Sequence, residues 1–280
     1  MRISKIPMLV AALALGAVGC KTDNGALTAN SIPALGYVRY INALPDTMNT
    51  TVRFVDYLEF TPQTFVNVAY RGIGQGLYQG IKPGARHFKI FNADVTNFSA
   101  AGNTAVLSDT TVTFEAGKYY TMVFTGYARN GTKKVKVYED VIPAPGANIA
   151  VRVLNPNTGL GSVDAYLVAT TTTPIAGAPT FSAVAELAFS AYTQVAPAAA
   201  GYAIRTTPAG NAATILASTA LPAGIVGTTS ADPIAGSAVA GSVITAMVFP
   251  ASVTGSTAAA SAAPSIVYVA DKQPPRTTSP

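Results

Sequence analysis

The run YQGIKPGARHFKI at residues 78–90 reappears without a gap as YTQVAPAAAGYAI at residues 192–204. Tyr78 falls on Tyr192, Ile81 on Val195, Pro83 on Pro197, Phe88 on Tyr202 and Ile90 on Ile204. A repeat at this distance requires two similar units in one chain, and 280 residues suffice for two domains that each bury a core. Around both copies short apolar–polar alternations are separated by turn residues, so each unit reads as β-structure. No stretch has the caps and 3.6-residue stripe of a long helix.

The N-terminus has the three parts of a secretory signal: basic Arg2 and Lys5, an apolar run at residues 8–15, and small residues at its end. It closes Ala17, Val18, Gly19, Cys20, which resembles a bacterial lipobox with Ala17 where Leu is usual. Such a site is cut before the Cys, whose thioether then carries diacylglycerol. Cys20 is the only cysteine, so no intrachain disulfide is available. Lys21 after it resembles the pattern sorted to the outer membrane in Gram-negative bacteria. With no internal span of the ~18 apolar residues needed to cross a bilayer, the body reads as soluble and held to the membrane by its lipid. The expected localisation is the cell envelope, on the periplasmic or the surface-facing side of the outer membrane.

The organisation expected is a signal peptide at 1–19, a lipid anchor and tether at 20–36, a first β-sandwich at 37–142, a linker at 143–149, a second sandwich at 150–272 and a disordered tail at 273–280. In the first unit, strands are expected at 37–42, 51–56, 65–70, 77–81, 86–92, 110–114, 119–126 and 132–140. Alternation puts Val38 and Tyr40 on one face of the first strand. Asn130-Gly131 between the last two strands predicts a type I′ hairpin turn, in which both central residues have positive φ. In the second unit VRVLN at 151–155 repeats VRYIN at 38–42, LPAG at 221–224 repeats FEAG at 114–117, and Met247, Val248, Phe249 repeat Met122, Val123, Phe124. Tyr268 and Asp271 close it as Tyr138 and Asp140 close the first. The second unit inserts residues 225–241 and has a longer loop at 250–264.

VRYINA at 38–43, YQGIKPG at 78–84 and FEAGKYYT at 114–121 together resemble the bacterial domain-of-unknown-function family 4397 over nearly all of the mature chain. The resemblance implies a secreted or lipid-anchored protein, often with the unit in tandem, and an immunoglobulin-like or transthyretin-like sandwich. The fold expected is therefore all-β, two tandem immunoglobulin-like β-sandwich domains after a lipoprotein signal peptide. The family brings no activity with it.

Chemistry-bearing motifs are sparse. The single histidine, His87, reads as part of a solvated sheet face with no partner suggested nearby in sequence, so no His-dependent catalytic site is expected. Asp94, Asp109 and Glu115 are the carboxylates whose convergence a hydrolase would need. GIGQG at 72–76 lacks the strand–helix context of a phosphate loop and reads as a turn. NPNTGLGSVD at 155–164 has alternating oxygen side chains but not the carboxylates of a calcium loop. No catalytic residue, metal ligand or cofactor is expected.

Arg129, Lys133, Lys134 and Lys136 form a basic hairpin that invites contact with an anionic membrane surface, or simply a charged edge that resists strand pairing. Without Arg2 and Lys5 the charge excess is small, and no basic stripe points to nucleic acid. Residues 21–150 hold 21 charged side chains and residues 151–280 only eight, so the second unit presents an uncharged surface suited to an envelope protein, a polysaccharide or a second copy. The expected function is a lipid-anchored, non-catalytic binding or structural module for protein interaction or adhesion. A carbohydrate-binding module is the alternative, motivated by 13 tyrosines on a β-sandwich, and a hydrolase is third.

Overall fold

The computed structural model describes residues 34–47, 49–56, 63–74, 78–93, 103–254, 256 and 261–276. It is all-β, with no helix among the described residues, and residues 35–280 form one compact unit. The strands of its first half are β1 (Gly36–Asn42), β2 (Thr50–Phe54), β3 (Gln63–Val68), β4 (Gln79–Ile81), β5 (Gly84–Ala93), β6 (Asn103–Phe114), β7 (Tyr119–Thr125) and β8 (Lys134–Glu139). Those of the second half are β9 (Ile149–Asn155), β10 (Val163–Val168), β11 (Phe181–Val184), β12 (Ala188–Phe189), β13 (Thr193–Val195), β14 (Ala203–Pro208), β15 (Ala217–Ala220), β16 (Val243–Phe249) and β17 (Ser265–Lys272). The eight strands expected in the first half are present; β6 starts seven residues earlier than the sequence suggests, at Asn103.

Four sheets result. In the first half the order β3-β2-β5-β6 faces β4-β1-β7-β8 across a core of Val38, Tyr40, Val52, Phe54, Phe65, Phe88, Ile90, Phe114, Met122 and Phe124. In the second, β11-β10-β14-β15 faces β12-β9-β16-β17, with β13 also on β9, across Ile149, Val151, Val153, Val163, Ile204, Ile244 and Val248. Each half thus has one parallel pair, β1 with β7 and β9 with β16, inside otherwise antiparallel sheets.

A third apolar cluster joins the halves. Ile41, Ala43, Tyr70 and Val123 meet Leu154, Met247, Phe249 and Val269. The sheets containing β1 and β9 therefore pack on each other, and the molecule is four sheets deep. This explains why β9 and β16 are buried at every residue, and β1 and β7 at nearly every one. Val38 and Tyr40 face the first core as alternation predicts, but Arg39 and Ile41 on the other face meet the second half rather than water. A strand covered on both faces loses its visible alternation.

Strand register corrects three sequence matches. β1 pairs Arg39 with Thr121 and Tyr40 with Met122, whereas β9 pairs Arg152 with Thr245 and Val153 with Ala246. Met122 therefore corresponds to Ala246, not Met247, and a one-residue slip exchanges the faces of a strand. Likewise Thr121 pairs with Tyr138 and Thr245 with Val269, so Tyr138 corresponds to Val269, and Tyr268 belongs to the second half's own core. The gapless repeat holds from Tyr78 to Ile81, since Gly36 pairs with Ile81 and Ile149 with Val195. Beyond that it breaks. Gly84 pairs with Phe114, while the amide of Leu221 binds the carbonyl of Tyr202, which sets Tyr202 beside Gly84 rather than Phe88. The extra residues lie between β13 and β14.

The β7–β8 turn also differs from expectation. Gly131 has φ +76° but Asn130 does not have positive φ, so no type I′ pair forms. The chain instead makes a wider loop, closed by Gly131 N–H to Ala128 O at 3.2 Å and Thr132 N–H to Tyr127 O at 3.1 Å. The buried Asp46 carboxylate accepts the amides of Ala128 and Arg129 at 3.0 and 2.9 Å, and this anchor outweighs the local dipeptide preference.

Candidate functional site

The charged chemistry concentrated inside the molecule lies in the seam between the halves. Arg39 on β1 and Arg152 on β9 both point into it, because they alternate with the core residues of their strands. Asp140 follows β8 and Asp271 lies in β17. All four side chains are buried, with exposures of 0–6%. Arg39 Nη2 lies 2.6 Å from Asp271 Oδ1, and Arg152 Nη2 lies 2.5 Å from Asp140 Oδ1. Each arginine is thus neutralised by the opposite half; its own half's aspartate is farther, at 3.9 Å for Arg39 and Asp140 and 3.7 Å for Arg152 and Asp271.

Hydroxyls complete both ends alike. Arg39 Nε donates to Thr121 Oγ1 at 2.7 Å, and that hydroxyl donates to Asp140 Oδ2 at 2.5 Å. Arg152 Nε donates to Thr245 Oγ1 at 2.8 Å, and that hydroxyl donates to Asp271 Oδ2 at 2.6 Å. Tyr78 donates to Asp140 at 2.8 Å and Tyr192 to Asp271 at 2.9 Å. The guanidiniums stack over the same rings, Arg39 at 4.7 Å from the Tyr78 centroid and Arg152 at 4.6 Å from that of Tyr192. Burial opposes the charge on Arg39, but Asp271, Tyr78 and Asp140 outweigh it and hold its pKa above the ordinary value. Burial also pushes the Tyr78 and Tyr192 hydroxyls well above the usual phenol range, so they remain donors. The cluster is electrically balanced: Oδ2 of each aspartate accepts from a threonine and a tyrosine, whereas Arg39 Nη2 and Asp271 Oδ1 meet as an ion pair without hydrogen-bond geometry and Arg39 Nη1 has no hydrogen-bond partner among the described residues. It fastens two β-units together.

Around it, side chains of one half hold the backbone of the other. Arg71 Nη2 donates to the carbonyls of Pro250 at 2.6 Å and Ala263 at 2.5 Å, and Tyr70 OH donates to Pro250 O at 2.7 Å. Lys136 Nζ and Tyr138 OH each donate to Leu187 O at 2.7 Å. Leu187 and Arg71 both have positive φ, 58° and 67°, and their amides bind Asn155 and Asn42 carbonyls respectively, which is the repeat expressed in backbone geometry.

The basic hairpin is accordingly divided. Lys136 is engaged in the seam, and exposed Arg129 donates to Thr254 O at 3.1 Å. Lys134 is exposed and Lys133 half-buried. His87 has a partner after all: its Nε2 is 2.5 Å from Asp109 Oδ1, while Lys89 Nζ is 3.1 Å from Asp109 Oδ2. These hydrogen bonds, His87's first, hold the Asp109 carboxyl below its ordinary pKa. The group is exposed on the outer face of the β5–β6 ribbon. Asp109 and Glu115 are six residues apart along an extended strand, about 20 Å, too far for a glycosidase pair.

In the 155–164 loop Asp164 and Asn157 engage backbone groups, while Asn155 Oδ1 is buried without a hydrogen-bond partner among the described residues. Asp164 accepts Ala183 and Gly210 N–H at 2.7 and 2.8 Å, and Asn157 donates to Ala43 O. Among the described residues no group of three or more His, Cys, Asp or Glu is arranged to hold a metal ion, and no helix is long and apolar enough to cross a membrane. Ala17, Val18, Gly19, Cys20 and Asp94 lie outside the described residues.

The sequence reading missed Arg39, Arg152, Asp140 and Asp271 as a set. The available signal was an arginine at the same place in both VRYIN and VRVLN, between residues of the core face, with an aspartate after the last strand of one half and within that of the other.

Comparison with curated proteins gives no match. Among solved structures, one described as "Alpha-glucan binding by a streptococcal virulence factor" is 14% identical over 61% of this chain and 79% of its own, at a TM-score of 0.23, a likeness from which nothing is carried over. The family model described as "Domain of unknown function (DUF4397)" matches residues 36–166. That span takes in the first half, the linker and β9, and ends inside β10. It is shorter than the near-complete coverage the motifs suggest, and the remaining second half is where the loop between β13 and β14 and the 225–241 insertion depart from the first. Over residues 36–166 this chain is therefore similar to the DUF4397 family.

Proposed function

We propose that this chain is a lipid-anchored cell-envelope protein whose two β-units form a rigid, non-catalytic binding or structural module. The observation that carries this reading is the closed seam: the four buried charges at the centre pair with opposite charges across the halves at 2.6 and 2.5 Å and are shut away from solvent. What remains for contact is the outer surface. One apolar feature of it is the tip of the insertion, where Ile225, Val226 and Ile234 are 55%, 66% and 49% exposed on a hairpin closed by reciprocal Ile225–Ile234 backbone hydrogen bonds. That tip projects from the half with few charges, where little desolvation opposes association with an envelope protein. The anchor rests on the sequence at Cys20.

A polysaccharide partner is the second reading. It is favoured by the half-buried Tyr37 and Tyr119, stacked at 4.8 Å with Tyr78 edge-on to Tyr119 at 5.0 Å. The second half has Ala150 and Val243 at the corresponding register.

The test uses living cells. Metabolic palmitate labelling should be lost in Cys20→Ser, and an epitope at residues 228–231 should report by proteinase K shaving which side of the envelope the tip faces. Capture of one envelope protein, lost with Ile225→Ser and Val226→Ser, supports the interaction reading. Binding on a glycan array, lost with Tyr37→Ala, supports the second. Silence in both, with Cys20→Ser still labelled, refutes the proposal.

A further inference from the structure

We infer that the seam is an isologous pairing surface whose fitting partner is a second copy of the β-unit, so that this chain is a covalently joined pair of units that exchange counterions. In an isologous interface the same positions of both members meet, so a contact from i to j is repeated from j to i. Arg39 to Asp271 and Arg152 to Asp140 satisfy that rule across the seam, and the threonine relays and tyrosine caps, each made within one unit, place the same supporting groups on both sides. The apolar ring satisfies it independently. Its members come from matching register positions: Ile41 with Leu154, Val123 with Met247, and Tyr138 with Val269. A surface evolved against an unrelated partner has no reason to use one set of positions twice.

The charges say why pairing is obligatory. Within its own unit each arginine is 3.7–3.9 Å from the aspartate, and the close contacts of 2.5–2.6 Å are both made across the seam. A unit standing alone would carry an incompletely neutralised guanidinium on an otherwise apolar sheet face. A second unit of the same kind supplies the missing carboxylate and receives one in return.

The inference is independent of any ligand and is tested on the full chain, with a protease site inserted between Gly146 and Ala147, which are exposed in the linker. After nicking under native conditions, the two halves should co-elute one to one in 1 M salt, since buried charges are little screened. Double-mutant cycles on the Kd of the nicked pair, with Arg39→Met, Asp271→Asn and Asp140→Asn, should give a coupling of about tenfold or more for Arg39 with Asp271 and about threefold or less for Arg39 with Asp140. Native mass spectrometry of the nicked chain, mixed with an isotope-labelled copy, should also show a minor species containing two first halves, in which Arg39 of each copy faces Asp140 of the other. Halves that part on nicking, couplings of equal size, or no two-first-half species at micromolar concentration would each overturn the inference. The last readout needs no substitution, so it stands even where a variant fails to fold.

Discussion

Arg39 and Arg152 occupy positions where a strand would ordinarily bury a hydrophobe, and the cost of desolvating them is offset only while both aspartates are present. Removing one partner strands the other as an unpaired buried charge. Arg39→Ala or Asp271→Ala should therefore lower unfolding free energy by about 3–5 kcal/mol in urea titrations, whereas replacing the whole quartet with well-packed apolar residues should cost far less. The buried tyrosines give a second outcome at this scale. Burial raises the Tyr70 hydroxyl to about 12, and Tyr40, Tyr78, Tyr138, Tyr192 and Tyr268 are raised for the same leading reason. A phenol with a raised folded pKa contributes stability that is fully present below the ordinary value near 10 and is lost as pH rises towards the folded value. Absorbance at the phenolate band should show these six ionising together with alkaline unfolding, not as independent groups near pH 10. Early, non-cooperative ionisation of most of them would contradict the packing described.

Among the elements, the 225–241 insertion is two structures in one. Its tip is exposed, while Ala235, Ser237 and Val239 at its base are buried; the amides of Ser237 and Ala238 bind the Pro222 and Ala223 carbonyls, and that of Ala235 binds Gln273 Oε1. Gly236 and Gly224 bring the two strands of the stem together: a Cβ on Gly236 would fall 2.1 Å from the Gly224 nitrogen. Gly236→Ala should open the hairpin, with hydrogen-exchange protection lost at Ile225 and Ile234 and a large drop in thermal stability. Gly131→Ala meets nothing within 4 Å and faces only its φ of +76°, so its cost should be about 1 kcal/mol. Comparable effects of the two would show that the close approach is not what the stem requires.

For the molecule as a whole, the third apolar cluster and the quartet tie two sandwich cores into one compact unit. Chemical unfolding should then follow one transition, with coincident fluorescence and circular-dichroism curves. Arg39→Ala should weaken the coupling between halves and split the transition in two. A wild-type chain that already unfolds in two steps would mean the seam contributes little.

Sheet content, strand positions in the first half and the relation between the copies were legible because period-two patterning and turn residues are local properties of the chain. The match of Tyr78 with Tyr192 holds because each makes the equivalent hydrogen bond, to Asp140 and to Asp271. Three things were not legible. The sequence around Met122 and Met247 suggests a match that is one residue out, since like residues on neighbouring positions cannot reveal which face is which. The Asn130-Gly131 turn was overruled by Asp46, which is distant in sequence and acts only through the folded loop. The seam itself was invisible because Arg39 and Arg152 look like solvent-facing members of alternating strands until another sheet covers that face. What the sequence determined by itself was a repeated β-unit and its likeness to a known domain family. Only the tertiary structure decided that the polar face of each unit is interior, because the carboxylates that neutralise it arrive from the other copy.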